Sequence, residues 1–199
     1  MELVLKRRLF LLLLLLFASS PSYAAGVAEF LAGARAEVNR APFYESGYYR
    51  GGYPPDGVGV CTDLVWRAFR SAGIGLKDLI DADIRADIGA NTGAYPRVGG
   101  KPDPNIDFRR VPNQSAFFRR HSASLGTAFK PGDASVMAHG QPGDIVVFKG
   151  PDHIAISSDK KNRRGVPLLL HNDGPWASEA DDFGKWAERG IVAHYRWNW

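Results

Sequence analysis

Cys61, His153 and His171 are the residues of this sequence best suited to covalent chemistry. Cys61 is the only cysteine among 199 residues and has no partner for an internal disulfide. A thiol attacks as its thiolate, so it needs a nearby base to take the proton and a third group to orient that base. Imidazole suits the base role because its ordinary pKa lies close to neutrality. The same residue types ligate zinc. No Cys-x-x-Cys or His-x-x-x-His pairing accompanies them and no fourth ligand stands out, so no metal and no cofactor is expected. A lone thiol also serves as a small buried hydrophobe, and composition alone does not separate that use from a reactive one.

The elements around these residues decide where they stand. Gly57-Val58-Gly59-Val60 leads into Cys61. Cys61, Leu64, Val65, Ala68, Phe69 and Ala72 then share one helical face, with Gly73 as the C-cap. Cys61 therefore opens a helix, where unpaired N–H groups and the helix dipole favour a thiolate. Residues 144–148, 153–158, 166–171 and 191–197 read as β-strands, and 160–165 as the polar tip of an antiparallel hairpin. In such a hairpin the start of one strand lies beside the end of the next. His153 and His171 then meet at one edge of the sheet, and a helix docked there delivers Cys61. His153 would take the thiol proton and later return it, and His171 would hold the His153 ring in one tautomer. Asn172 is the alternative third residue, because alternation does not choose between adjacent positions without the register.

Further helices are read at 27–40, 76–88 and 113–121, with loops at 42–60 and 89–112. Asp81, Asp83 and Asp87 read as a solvated helix face, and Asp63 as a cap or brace beside Cys61. His121, His139 and His194 carry no expected role. Helices lead and strands follow, which indicates one α+β domain over residues 25–199, its N-terminal helices packed on an antiparallel sheet. Ahead of it, Lys6-Arg7-Arg8, the apolar run from Leu9 to Ala18 and the small-residue exit Ser22-Tyr23-Ala24 form a secretory leader, residues 1–24, cleaved after Ala24. The apolar run is short for a transmembrane span, so membrane contact is expected only through the leader before cleavage, and the mature protein is expected in the periplasm or secreted. The leader removes three basic residues (Lys6, Arg7, Arg8) and one acidic residue (Glu2), so the formal charge of +4 falls to +2. That balance, without a basic stripe interleaved with aromatics, argues against nucleic acid as a partner.

Residues 57–63, with their Val-Cys-Thr-Asp core, resemble the nucleophile segment of bacterial papain-like cell-wall peptidases of the NlpC type. Residues 143–148, 153–156 and 170–172 resemble the strand order of that superfamily. More closely, the chain resembles an exported bacterial family typified by the uncharacterised protein YijF. The segments that carry this are Gly-Val-Cys-Thr-Asp at 59–63, Pro-Asp-Pro-Asn-Ile-Asp at 102–107 and Arg-Arg-Val-Pro-Asn at 109–113.

The resemblance implies a papain-like fold with Cys61 as nucleophile and His153 as base. The implied reaction is hydrolysis of an amide bond through a thioester, in peptidoglycan stem peptides or a similar peptide substrate. Tyr49 and Tyr53 precede the nucleophile and are candidates to position an oxyanion, as a tyrosine does in related peptidases, although packing of the loop is the favoured role for both. The Cys61 or Thr62 N–H is the other candidate for the oxyanion site. The 102–113 loop either lines the substrate cleft, with Arg109 or Arg110 to hold a carboxylate and Asp107 among the candidate binding residues, or is a tightly braced structural loop; the sequence does not choose between them. Acyl transfer to an amine, as in a transpeptidase, and a non-catalytic envelope-binding domain on the same shell are the alternatives. Nothing in the sequence sets the oligomeric state.

Overall fold

The apolar face beginning at Val27 forms helix α1, Ser22–Arg40, which buries Phe30, Leu31 and Ala34. This is a computed structural model, and it describes residues 22–96, 98, 101–128, 140–150 and 153–199. The leader lies outside the described residues apart from Ser22–Ala24, which begin α1, and His139 lies outside them as well. Helix α2, Cys61–Ser71, packs tightly on α1: a Cβ at Gly33 would collide with the Ser71 side chain. After α2 the chain turns through Gly73, whose φ of +77° suits a residue without a Cβ. Helix α3 spans Leu76–Ala90, a 3-10 turn spans Asp107–Arg109, and α4 spans Val111–His121 with Pro112 in its first turn. No helix among the described residues is long and apolar enough to cross a membrane.

Two short strands, β1 (Phe43–Tyr44) and β2 (Val58–Gly59), pair in parallel just ahead of α2. The main sheet follows: β3 (Ala123–Ser124), β4 (Ile145–Phe148), β5 (His153–Lys161), β6 (Pro167–Asn172), β7 (Ala177–Ala180) and β8 (Ile191–Arg196). Its order is β3-β8-β4-β5-β6-β7, antiparallel throughout. The architecture is thus the expected α+β arrangement, with the β5–β6 hairpin flanked by β4 on one side and β7 on the other. Strand alternation divides the interior in two. Ile145, Val147, Ile154, Ile156 and Leu170 pack with the residues of α1 and α2, whereas Val146, Phe148, Ala155 and Leu169 meet Phe183 and Trp186 of α5, Phe183–Ala187.

A buried ion pair ties the helices to the approach to the site. Glu37 of α1 meets Arg67 of α2, and both side chains are almost wholly buried. Arg67 Nη2 also donates to the carbonyls of Pro54, Pro55 and Val58, at 3.2, 3.0 and 3.1 Å, pinning the segment that enters β2. The aspartates of α3 correct the sequence reading. Asp81 and Asp87 are buried, and Asp83 bonds Tyr95 and lies 2.8 Å from Arg120 Nε and 3.1 Å from His121 Nε2. Asp83 and Asp87 brace α3 against the segments that follow it rather than facing water. Asp81 pairs with Lys77 one turn back on the same helix, whereas the partners of Asp83 and Asp87 lie beyond α3, so charge spacing along the helix did not disclose them. His194 likewise has a partner, with Nε2 2.9 Å from Asp144 Oδ2.

Candidate active site

Val60, which precedes α2, has no polar side chain, so the helix start must be held by other means. Asp63 supplies one: its Oδ2 accepts the Val60 N–H at 2.8 Å and its Oδ1 accepts Trp66 Nε1 at 2.8 Å. The same carboxylate takes a two-pronged contact from Arg109, Nε to Oδ1 at 2.7 Å and Nη2 to Oδ2 at 2.8 Å, with both side chains buried. Arg109 Nη1 donates to the Gly47 carbonyl at 2.7 Å. Thr62 Oγ1 donates to the Arg109 carbonyl at 2.8 Å, and Gln114 Nε2 spans the carbonyls of Thr62 and Phe108. Cys61 is thereby fixed between a braced helix and a braced loop.

The N–H groups of Asp63 and Leu64 close on the Val60 carbonyl. Those of Cys61 and Thr62 are left to approach the sulfur, as does the N–H of Ile154 on β5. Burial pushes the Cys61 thiol up to about 12 against the pull of these three donors, so the resting side chain is a neutral thiol. A cavity of about 290 Å³ opens on Cys61, lined among others by Tyr44, Ser46, Thr62, Arg110 and Pro112.

His153 begins β5 with its ring on the second face of the sheet, stacked on Trp186 at 4.0 Å and near-parallel to Phe148. Its Nε2 lies 2.9 Å from His171 Nδ1, and its Nδ1 has no hydrogen-bond partner among the described residues. The Ile154 nitrogen that approaches the sulfur is two bonds from His153 Cα, so thiol and imidazole flank the first peptide of β5. His171, rather than Asn172, is the residue bonded to His153. Asn172 Nδ2 reaches the carbonyls of Pro42 and Gly59 at 3.2 and 3.1 Å, securing β1 and β2 to the sheet.

Burial lowers His153 to about 3, with the neighbouring His171 adding to the effect, and burial lowers His171 as well. Both rings are neutral in the folded protein. In the unfolded chain each protonates near pH 6.5, so the stability that neutral burial requires is present above that pH. It is lost as pH falls below that value, down to about 3 for His153, by at most about 1.4 kcal/mol per pH unit for each histidine. Thermal melts between pH 7.5 and 4.5 should show Tm falling across this window, and falling less steeply in His153→Gln. A Tm slope equal in the variant and the wild type contradicts the neutral pair.

Several expected binding residues have other work. The Arg109 guanidinium is taken up by Asp63 and Gly47, and Asp107 Oδ2 accepts the Asp103 N–H at 2.7 Å, so both brace the loop instead of presenting free groups. Arg110 is the more exposed cation at the cavity, 3.5 Å from Asp107. Tyr49 donates to Glu45 at 2.8 Å beneath the Arg109 guanidinium, and Tyr53 packs on Trp66 and Phe108. The tyrosine at the cavity is Tyr44, whose register partner in β2 is Gly59, two residues before Cys61. Burial raises its phenol, and the charge of a Cys61 thiolate adds to the rise. The only sequence signal for it was proximity to the Gly-rich approach, since a two-residue parallel strand has no period to read.

Residues 31–197 match the family model described as "Domain of unknown function (DUF1287)". The chain is also similar to "Uncharacterized protein YijF" of Escherichia coli (strain K12), at 38% identity over 174 residues, which cover 83% of this chain and 78% of that protein.

Proposed function

We infer the activity of this chain, which belongs to the family described as a domain of unknown function (DUF1287), from its site: it is a cysteine hydrolase that cleaves an amide bond through a thioester on Cys61. The observation that carries this is the approach of the Cys61 sulfur to the Ile154 N–H, beside a His153 whose Nε2 is committed to His171 and whose Nδ1 is unclaimed. A helix N-terminus docked on the start of a hairpin-paired strand, with base and orienting residue on that hairpin, supports a papain-like scaffold of the NlpC type.

With thiol and imidazole both neutral at rest, the proton moves during the attack rather than beforehand. His171 Nδ1 accepts from His153 Nε2–H, which leaves the Nδ1 lone pair of His153 to take the thiol proton. The developing oxyanion meets the unpaired N–H groups at the start of α2 and the Tyr44 hydroxyl. Trp186 stacks on the His153 ring, shields that side of it from water and so strengthens the hydrogen bond that orients the base. The base then returns its proton to the departing amine, and water hydrolyses the thioester.

The leader read from residues 1–24 supports export to the periplasm or beyond, and Arg110 at the cavity suits a substrate bearing a free carboxylate. Peptidoglycan stem peptides meet both conditions. Purified peptidoglycan incubated with the protein should release peptide fragments detectable by mass spectrometry. Absence of any Cys61-dependent fragment removes the cell wall as substrate, and a product carrying an added amine reassigns the reaction to acyl transfer.

A further inference from the structure

Behind His153 lies a set of groups that the cleavage chemistry does not use. His171 is fully buried, and its Nε2 is a buried nitrogen without a hydrogen-bond partner among the described residues. Asp182 Oδ2 lies 3.4 Å from it, and Asp173 Oδ1 lies 3.9 Å from Nδ1 of the same ring. One ligand atom from each of His171, Asp173 and Asp182 can be chosen so that all lie within 4.8 Å of one another. An imidazole nitrogen and two carboxylates are a donor set for zinc and neighbouring divalent transition metals. At bond lengths of about 2.1 Å, two tetrahedral ligands stand about 3.4 Å apart, the spacing already present between His171 and Asp182.

We propose that His171 Nε2, Asp182 and Asp173 form a site for a divalent transition-metal ion of Zn²⁺ character, and that its occupancy silences the Cys61–His153 pair by reversing the tautomers of the two histidines. The silencing half rests on the catalytic reading above, whereas the site itself does not.

The reversal follows from counting protons on the ring nitrogens. Without metal, Asp182 keeps the His171 proton on Nε2, so Nδ1 accepts from His153 and His153 Nδ1 stays basic. A metal ion takes the Nε2 lone pair and leaves the His171 proton on Nδ1. That proton now points at His153 Nε2, which must become the acceptor, and the His153 proton moves to Nδ1. His153 Nδ1 then carries a proton and can no longer take that of the thiol. Lys185 neutralises the carboxylates meanwhile, its Nζ 3.4 Å from Asp173 and 3.9 Å from Asp182. Its side chain is half exposed, so a divalent ion displaces it into water at little cost.

Calorimetric titration of Zn²⁺ into the Cys61→Ala variant tests the site with the thiol removed. One Zn²⁺ per chain is expected, weakened on the order of 10–100-fold or more by Asp182→Asn and tightened by Lys185→Met. No binding at 100-fold molar excess, or binding unaffected by both substitutions, overturns the site. Long-range ¹H–¹⁵N correlation spectra of the histidine rings test the switch independently of turnover. On adding Zn²⁺ the His153 proton should move from Nε2 to Nδ1, and an unchanged His153 tautomer at saturation overturns the silencing. If no amide substrate is cleaved but Zn²⁺ binds with the expected variant pattern, the catalytic reading fails and the metal site stands.

Discussion

Cys61→Ala is expected to lower amide cleavage on the order of 10⁴–10⁶-fold while leaving the fold intact, the scale seen when a covalent nucleophile is removed. The substitution deletes one sulfur from a buried position at the end of a helix, and the two core clusters keep their other contacts. His153→Ala is expected to cost a similar factor, and the double variant little more than either alone, because nucleophile and base act as one unit. His171→Ala should cost less, since the base remains but its ring loses the 2.9 Å hydrogen bond that orients it. Initial rates on a peptide amide, with circular dichroism to confirm folding, check the series. Equal rates in wild type and Cys61→Ala would remove the thiol from the chemistry.

Asp63→Ala is expected to be the most damaging single change to stability near the site. It leaves the Arg109 guanidinium buried without its carboxylate and strips acceptors from Val60 N–H and Trp66 Nε1 together. Breaking one side of a buried pair costs about 3–5 kcal/mol, and for a domain of this size each kcal/mol moves Tm by about 2–4 °C. A fall of about 10 °C follows. Removing the partner as well, in Asp63→Ala with Arg109→Met, should recover part of that loss because no uncompensated charge remains buried. Thermal melts of the two variants measure the difference. A double variant less stable than Asp63→Ala alone would show that the pair contributes net stability beyond the unpaired-charge penalty. Activity should fall in both, since the brace also fixes the entry to α2.

The helix that carries Cys61 and the strands that carry the histidines were legible because their apolar positions repeat with helical and strand periods. Hairpin geometry then brought His153 and His171 together without knowledge of the fold. Its register also settles which residue contacts His153: Leu169 and His171 fall on one face of β6, Leu170 and Asn172 on the other. What escaped has no period. The Asp63–Arg109 pair joins positions 46 residues apart, and an aspartate that anchors a loop looks in sequence like one that faces water. Asp83 of α3 misled for the same reason, with Arg120 as its distant partner. Tyr44 sits in a two-residue strand, and Trp186, which stacks on His153, sits in a five-residue helix too short to announce itself. Asp182, just ahead of that helix, gains its meaning only from the return of the chain to His171.

Acid-quenched intact-protein mass spectrometry during turnover of a peptide amide, followed by peptide mapping, addresses the Cys61 thioester most directly. A mass increase equal to the acyl portion of the substrate, mapped to Cys61 and absent from Cys61→Ala, is the expected result. Substrate consumption with the acyl mass on another residue, or with Cys61 still fully open to alkylation in the quenched samples, would contradict it.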